Sequence, residues 1–259
     1  MSPSLSVIVP AYNEAARLGK TLPVIFNYLQ AHSPGAEVIV VDDGSTDETC
    51  AVVERTFKEN QGLEMTLVRT PVNRGKGHAV RSGLSNARGP IALFTDADLS
   101  TPIDELPKLV QPLESGTCDL TFGSRALDRQ LIGVHQNWRR ELGGRVFNSI
   151  VRVATGLPFW DTQCGFKAFR MCACRSIIEA ATIDRFAFDV ELLYLAHKAR
   201  LRLEEIAVRW DHNEGSKVSF ARDSRRMLTE VRLIRQQMRN GVYDEAIKHA
   251  GQQLQLENC

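Results

Sequence analysis

Two aspartates stand one residue apart where an apolar run stops. In "IALFTDADLSTP" (residues 91–102) the run from Ile91 to Phe94 gives way to Thr95, Asp96, Ala97 and Asp98. Carboxylates this close repel, and nearby burial raises the cost of ionising both. A hard divalent cation would neutralise them. Carboxylate oxygens suit Mg²⁺ or Mn²⁺, and such ions commonly share their coordination with substrate phosphates. The competing reading is a turn whose aspartates cap the next helix. Other apolar runs end the same way. Tyr12, Asn13 and Glu14 follow "LSVIVP" (5–10), Asp42 and Asp43 close "AEVIVVDD" (36–43), and Ser124 and Arg125 close "CDLTFGSR" (118–125). "NRGKGHAV" sets Gly75, Lys76 and Gly77 at a helix start. Glycines there allow close backbone approach, and a helix N-terminus favours an anion. The plain alternative is a solvated lysine in a glycine-rich turn, and no Ser or Thr follows the lysine as a Walker loop requires.

The elements that must position these groups alternate. Strands are predicted at 5–10, 36–43, 64–70, 90–98 and 118–125. Between them run a helix with Leu18, Leu22, Ile25, Phe26 and Leu29 at helical spacing, a helix over 45–59 with Ser45 or Thr46 as N-cap, a helix over 75–87, and one starting near Pro102 with Leu106, Leu109, Val110 and Leu113. Alternating βα units with continuous apolar strands predict an α/β fold, a mostly parallel sheet covered by helices on both faces. In such sheets ligands bind beyond the carboxyl ends of the strands, where the polar residues sit. The second half predicts a helix over 138–155, a turn into a short strand over 161–170, a helix over 186–199 and an edge strand over 203–210. A loop over 211–217, a long helix over 222–240 and a polar tail over 242–259 complete the chain.

With 259 residues, 43% hydrophobic and 24% charged, the composition is that of a globular protein with a sizeable core. A formal net charge of +1 gives no global pull toward nucleic acid. The six cysteines show neither a CxxC pair nor zinc spacing and are expected as reduced thiols. No signal peptide and no window of membrane-spanning length is read, so a cytoplasmic protein is expected, soluble or peripheral on the cytoplasmic membrane face.

Taken in order, "SVIVPAYNE", "VDDGSTDET", "NRGKGHAVRSGL", "FTDADLSTP", "FGSRAL" and "DTQCGFKAF" resemble the family-2 glycosyltransferases of GT-A fold. More narrowly they resemble the branch that transfers a sugar to a polyprenyl phosphate, of dolichyl-phosphate β-glucosyltransferase type, with dolichyl-phosphate mannose synthases as more distant relatives. The resemblance covers roughly residues 4–220. A catalytic domain is expected over 1–220, and 221–259 reads as a basic amphipathic helix and tail packed on it. The resemblance implies an inverting, metal-dependent transfer of a hexose from a nucleotide-sugar donor, UDP-glucose favoured, to a lipid-linked phosphate acceptor. A soluble or saccharide acceptor, and nucleotide-sugar binding without turnover, are the other readings. Two departures stand out. The membrane helix of the eukaryotic members is not read here, and Ser100 stands where many mannose synthases have a glutamine near the metal.

By the same resemblance, Pro10, Ala11 and Tyr12 line the base, Glu14 approaches the ribose, and Asp43 reads the base edge with Asp42 beside it. Lys76 steadies a phosphate. Asp96, Ala97 and Asp98 hold the donor, with Mg²⁺ or Mn²⁺ on the two aspartates. Arg125 meets the acceptor phosphate, with Gln163 and Lys167 as further candidates. Asp161, Asp189 and Glu191 are the carboxylates proposed near the reaction centre. His212, Ser216 and Lys217, in "HNEGSK", resemble a loop closing over the diphosphate. From Lys217 to Asn240 seven basic residues face two acidic ones, while Met227, Leu228, Val231, Ile234 and Met238 form one stripe. Such a helix can lie in an anionic membrane interface or pack its stripe on the core. The sequence leaves the oligomeric state open.

Overall fold

The computed structural model describes residues 2–134, 138–211 and 220–253. In chain order the elements are β1 (Leu5–Ala11), α1 (Ala15–His32), β2 (Ala36–Asp42), α2 (Thr49–Glu59), β3 (Glu64–Arg69), α3 (Lys76–Asn86) and β4 (Ile91–Thr95). A single 3₁₀ turn at Ile103–Glu105 leads into α4 (Leu106–Glu114), followed by β5 (Leu120–Ser124), β6 (Ile132–Val134), α5 (Trp138–Thr155) and β7 (Phe166–Arg170). The chain closes with α6 (Met171–Ala180), α7 (Phe188–Lys198), β8 (Leu203–Ala207), β9 (Trp210–Asp211), α8 (Phe220–Arg239) and α9 (Asp244–Gln253).

Seven strands form one sheet in the order β3-β2-β1-β4-β7-β5-β8. All neighbours pair in parallel except β7, which runs antiparallel to both β4 and β5. β6 and β9 form a separate short parallel pair. Strand side chains alternate between faces, so each apolar strand feeds two cores. Val7, Val9, Val38, Val40 and Leu93 pack with Leu18, Leu22 and Phe26 of α1 and with Leu109 of α4. Ile8, Ile39, Val41 and Phe94 pack on the other face with α3, α6 and α7. The parallel, doubly covered sheet and the β8 edge follow the sequence reading.

Several details refine that reading. Helix α2 starts at Thr49, not at Ser45 or Thr46. The Ser45 hydroxyl instead accepts the Asn13 N–H (2.8 Å), and Thr46 donates its N–H to Asn13 Oδ1 (2.8 Å). These residues tie two strand-end loops together rather than cap a helix. β4 stops at Thr95, which leaves Asp96 and Asp98 on the loop beyond the strand. The stripe of α8 faces inward. Met227, Val231 and Ile234 are buried in the core that holds Ile8 and Phe94, with Leu228 and Met238 packed against it. Of the two readings of this stripe, packing on the core is the one the structure shows. The tail, read as polar with a helix left open, carries α9 and the fully buried Tyr243. Cys50, Cys118, Cys164 and Cys174 are free thiols, while Cys172, exposed at the start of α6, is disulfide-bonded, against the all-reduced expectation. Among the described residues no helix is long and apolar enough to cross a membrane.

Candidate active site

The carboxyl ends of β1, β2 and β4 open onto one cleft of about 340 Å³. Of the residues singled out in the sequence, β1 and its loop bring Pro10, Ala11, Tyr12 and Glu14 to the wall. The β2 end supplies Asp43, the start of α3 supplies Lys76, and the loop after β4 supplies Asp96, Ala97 and Asp98. Three independent strand ends thus converge as the doubly wound topology requires.

Asp43 is buried and works on the loop beside it. It accepts the Gly75 N–H (2.7 Å) and the Arg74 N–H (3.1 Å), fixing the entry to α3. Lys76 then extends across the cleft to Asp96, Nζ to Oδ1 2.5 Å. Burial alone would lower the Lys76 pKa, but the Asp96 and Asp189 carboxylates outweigh it and hold the ammonium above its ordinary value. Asp98 accepts the Ser100 N–H (3.0 Å). So the lysine, not a helix cap, meets the first of the two clustered aspartates.

The glycines of "NRGKG" allow close protein contacts, and Gly75 also lines the cleft. A Cβ on Gly75 would come 2.5 Å from the Asp184 carbonyl, and its φ of +125° suits glycine. A Cβ on Gly77 would come 2.5 Å from the Ile183 carbonyl. Residues 183–186 press against the start of α3, bringing Arg185 and Phe186 into the cleft wall. Arg74 (2.8 Å) and Arg81 both pair with Asp184 to hold that contact.

Behind the paired aspartates lies a layer of buried ion pairs. Gly165 of "DTQCGFK" packs directly on the Asp96 carboxylate, leaving no room for a Cβ, and the Gly165 carbonyl accepts the Asp96 N–H (3.2 Å). Arg125 grips Asp161 with Nε (2.7 Å), Nη2 (2.9 Å) and its backbone N–H (3.1 Å), and its guanidinium lies 5.6 Å from the Trp210 ring centre. Burial opposes ionisation of Asp161, yet Arg125 and the Gln163 N–H hold its pKa down to about 2. Lys167, fully buried, donates to the Cys164 carbonyl and pairs with Asp189 Oδ1, both at 2.6 Å. Burial pushes the Asp189 pKa up, with Lys167 and Lys76 pulling against it.

Several expected site residues therefore sit elsewhere. Asp42 is not in the cleft wall; it accepts the Ser45 N–H (3.3 Å) within its own turn. Glu191 lies under the 182–183 turn. It accepts from the Thr182 N–H and hydroxyl, the Ile183 N–H (each 2.9 Å) and the Tyr243 hydroxyl (2.6 Å). That carboxylate holds the base of the Arg185–Phe186 wall and does not face a substrate. Lys167 cannot reach an acceptor because strand pairing opposite Phe94 turns it into the core. The Gln163 amide points at the Met227 sulfur (3.5 Å). Arg125, Asp161 and Asp189 stand behind the cleft wall. His212, Ser216 and Lys217 lie outside the described residues. The sequence reading missed Arg17, Asn73, Arg185 and Phe186 in the wall. Arg17 falls one turn into α1 and bonds both Glu14 oxygens (2.8 and 3.0 Å), a spacing of three that could have flagged it.

Comparison with known proteins decides what this cleft belongs to. The sequence profile described as glycosyl transferase family 2 matches residues 6–178. The chain belongs to glycosyl transferase family 2. This glycosyltransferase is 39% identical over 231 residues to a dolichyl-phosphate β-glucosyltransferase of Drosophila melanogaster, covering 84% of this chain and 71% of that one. It is 36% identical over 225 residues to the human protein of that name, covering 83% and 69% respectively. In fold it is similar to a mannosyltransferase from Pyrobaculum calidifontis solved with GDP-mannose and Mn²⁺ (TM-score 0.61, 22% identity, 98% of this chain and 70% of that one). It is also similar to glucosyl-3-phosphoglycerate synthase from Mycobacterium tuberculosis solved with Mn²⁺ and UDP (TM-score 0.62, 22% identity, 88% and 80%). The architecture is accordingly GT-A.

Proposed function

We propose that this glycosyltransferase moves a hexose, glucose from UDP-glucose, to a polyprenyl phosphate of dolichyl type, inverting the sugar linkage. One observation carries the reading. Asp43, Lys76, Asp96 and Asp98 meet in a single cleft beyond the strand ends, in a chain that is 39% identical to a dolichyl-phosphate β-glucosyltransferase. The base lies along Pro10 to Tyr12 with Asp43 at its edge. Lys76 is poised to exchange its contact with Asp96 for the donor diphosphate.

The donor set fits Mg²⁺ or Mn²⁺. Asp96 and Asp98 offer oxygen ligands at the cleft, and among the described residues no cluster of three or more His, Cys, Asp or Glu forms a complete protein cage. A hard ion sharing its coordination with phosphate oxygens matches that arrangement. Bound there, it would stabilise negative charge on the leaving nucleoside diphosphate. The protein's own groups do the rest. A phosphate acceptor is largely ionised at neutral pH and needs little base assistance, which suits a site whose Asp161 and Asp189 are committed to Arg125 and Lys167. Arg125 spends two side-chain nitrogens on Asp161 and stays partly exposed, and a guanidinium is well shaped for the acceptor phosphate. The enzyme works as a peripheral protein on the cytoplasmic face of a membrane.

Product analysis tests the reading. The purified chain is incubated with a phosphoprenol and, separately, soluble saccharide acceptors, each with UDP-glucose, GDP-mannose or UDP-N-acetylglucosamine. A β-linked glucosyl phosphoprenol formed from UDP-glucose with Mn²⁺ and not with EDTA is the expected result. Transfer to a soluble acceptor only, or undiminished transfer in EDTA, would overturn the acceptor or the metal assignment.

A further inference from the structure

The two aspartates beyond β4 lie on a strained turn. The Leu99 N–H returns to the Asp96 carbonyl (3.1 Å), and Leu99 takes a left-handed φ of +49°. A non-glycine residue is disfavoured there, and such a turn persists only where its surroundings over-determine it. Three elements do so. The Gly165 carbonyl, just before β7, accepts the Asp96 N–H (3.2 Å). From β9 the Asp211 N–H reaches the Ser100 carbonyl (2.8 Å). From α1 the Thr21 hydroxyl reaches the Ala97 carbonyl (2.8 Å), across 76 positions of sequence. The first two anchors join backbone to backbone, whereas the third depends on one side chain.

A threonine within a helix can bond the carbonyl four residues back, and the Arg17 carbonyl stands 3.1 Å from this hydroxyl. The hydroxyl has a single proton, and Ala97 offers the nearer acceptor. The carbonyl it meets belongs to the peptide joining Ala97 to Asp98, between the two carboxylates. Ala97 and both aspartates line the cleft, as does Arg17 one turn earlier on the same face of α1. Thr21 stands behind that wall and acts through it.

We propose that Thr21 is a positioning residue for the metal-binding turn. Its hydroxyl fixes the Ala97–Asp98 peptide and thereby the placement of the Asp96 and Asp98 carboxylates toward Mg²⁺ or Mn²⁺. Groups that hold metal ligands in place commonly cost about 10–100-fold in metal affinity when removed. The inference deepens the metal-assisted donor binding proposed above and rests on it.

The test is calorimetric titration of UDP into the purified full chain, with Mn²⁺ and with EDTA, for wild type, Thr21→Val, Thr21→Ser and Thr21→Ala. Thr21→Val exchanges the hydroxyl for a methyl, and Thr21→Ser and Thr21→Ala differ from each other only in the hydroxyl. Thr56→Val is the control, because the Thr56 hydroxyl bonds the Val52 carbonyl of its own helix (2.9 Å). Thr21→Val and Thr21→Ala should lose about tenfold or more of the UDP affinity measured with Mn²⁺. Their affinity in EDTA should stay within about twofold of wild type, which also reports that they fold. Thr21→Ser and Thr56→Val should match wild type in both conditions. Mn²⁺ binding to the UDP-loaded protein, followed by electron paramagnetic resonance, should weaken in step with the loss of UDP affinity. Thr21→Val equal to wild type with Mn²⁺, Thr21→Ser as weak as Thr21→Ala, or equal losses with Mn²⁺ and in EDTA would each overturn the proposal. Wild type that binds UDP equally with Mn²⁺ and in EDTA would overturn the metal reading and the proposal with it, so the two failures are told apart.

Discussion

Replacing Asp161 by asparagine separates a proton acceptor from a positioning group. The residue keeps its shape and loses its charge, leaving the Arg125 guanidinium without its carboxylate. Asp161 is almost fully buried, and its pKa falls from 3.8 to about 2. A shift of that size contributes about 2.5 kcal/mol of stability at neutral pH. Breaking a buried pair from one side typically costs about 3–5 kcal/mol. The expected loss at pH 7 is therefore about 2.5–5 kcal/mol, a drop of roughly 1–2 M in urea midpoint at a slope of about 2–3 kcal/mol/M. The sign of the pH dependence follows from the folded pKa lying below the unfolded one. Asp161 stabilises fully above the unfolded value and loses its contribution as pH falls through about 2. The gap between wild type and variant should stay constant from pH 7 to about 5, then narrow by at most about 1.4 kcal/mol per pH unit. Urea titrations across pH, alongside kcat measured well below the unfolding midpoint, check this. A gap below about 0.5 kcal/mol that ignores pH would refute the buried-pair argument. A loss of about 10²-fold or more in kcat with stability intact would make Asp161 a general base after all.

Four further outcomes follow from the same geometry. Gly165→Ala should displace the Asp96 carboxylate and lower donor affinity about tenfold or more, by calorimetry with UDP-glucose and Mn²⁺, while costing about 1 kcal/mol in stability. Lys167→Met should cost about 3–5 kcal/mol in chemical denaturation, and Lys167→Met/Asp189→Leu should recover most of it, because the partner charge leaves with the lysine. Glu191→Gln should cost about 2–3 kcal/mol and weaken UDP binding severalfold through the Arg185–Phe186 wall; a fall in kcat at unchanged UDP affinity and melting temperature would instead put Glu191 beside the sugar. Asp98→Ala, and EDTA with wild type, should each abolish metal-dependent donor binding, and equal binding in EDTA would remove the ion from the donor site.

What the sequence made legible follows the physics of each signal. Continuous apolar strands and helical stripes report burial directly, so the parallel sheet and the core of α1 were readable from Val7 to Leu29. Strand ends were readable too, because a polar group after a buried run must be solvated or bound. That is why Asp43, Lys76, Asp96 and Asp98 fall in the cleft as read. Spacing alone could not say which way a charge faces one layer further in. Lys167 and Glu191 look like site residues because charge within an apolar element is conspicuous, but burial with a partner makes the same mark as catalysis. β7 is the clearest case. Its antiparallel insertion between β4 and β5 is a long-range pairing with no local signature, and it alone determines that Lys167 turns toward Asp189 and that Gly165 sits on Asp96. The glycines of "NRGKG" were only partly legible for a related reason, since a missing Cβ reports close approach without naming what approaches. Here it is the 183–185 backbone, held by Glu191 from below and by the Ala187 N–H on Glu230 of α8 (3.0 Å). The C-terminal helices thus form part of the frame of the donor cleft. A chain ending before α8 would lose Glu230 and Tyr243, two of the groups that support the Arg185–Phe186 wall, so such a truncation is expected to weaken UDP binding although the motifs never touch that segment.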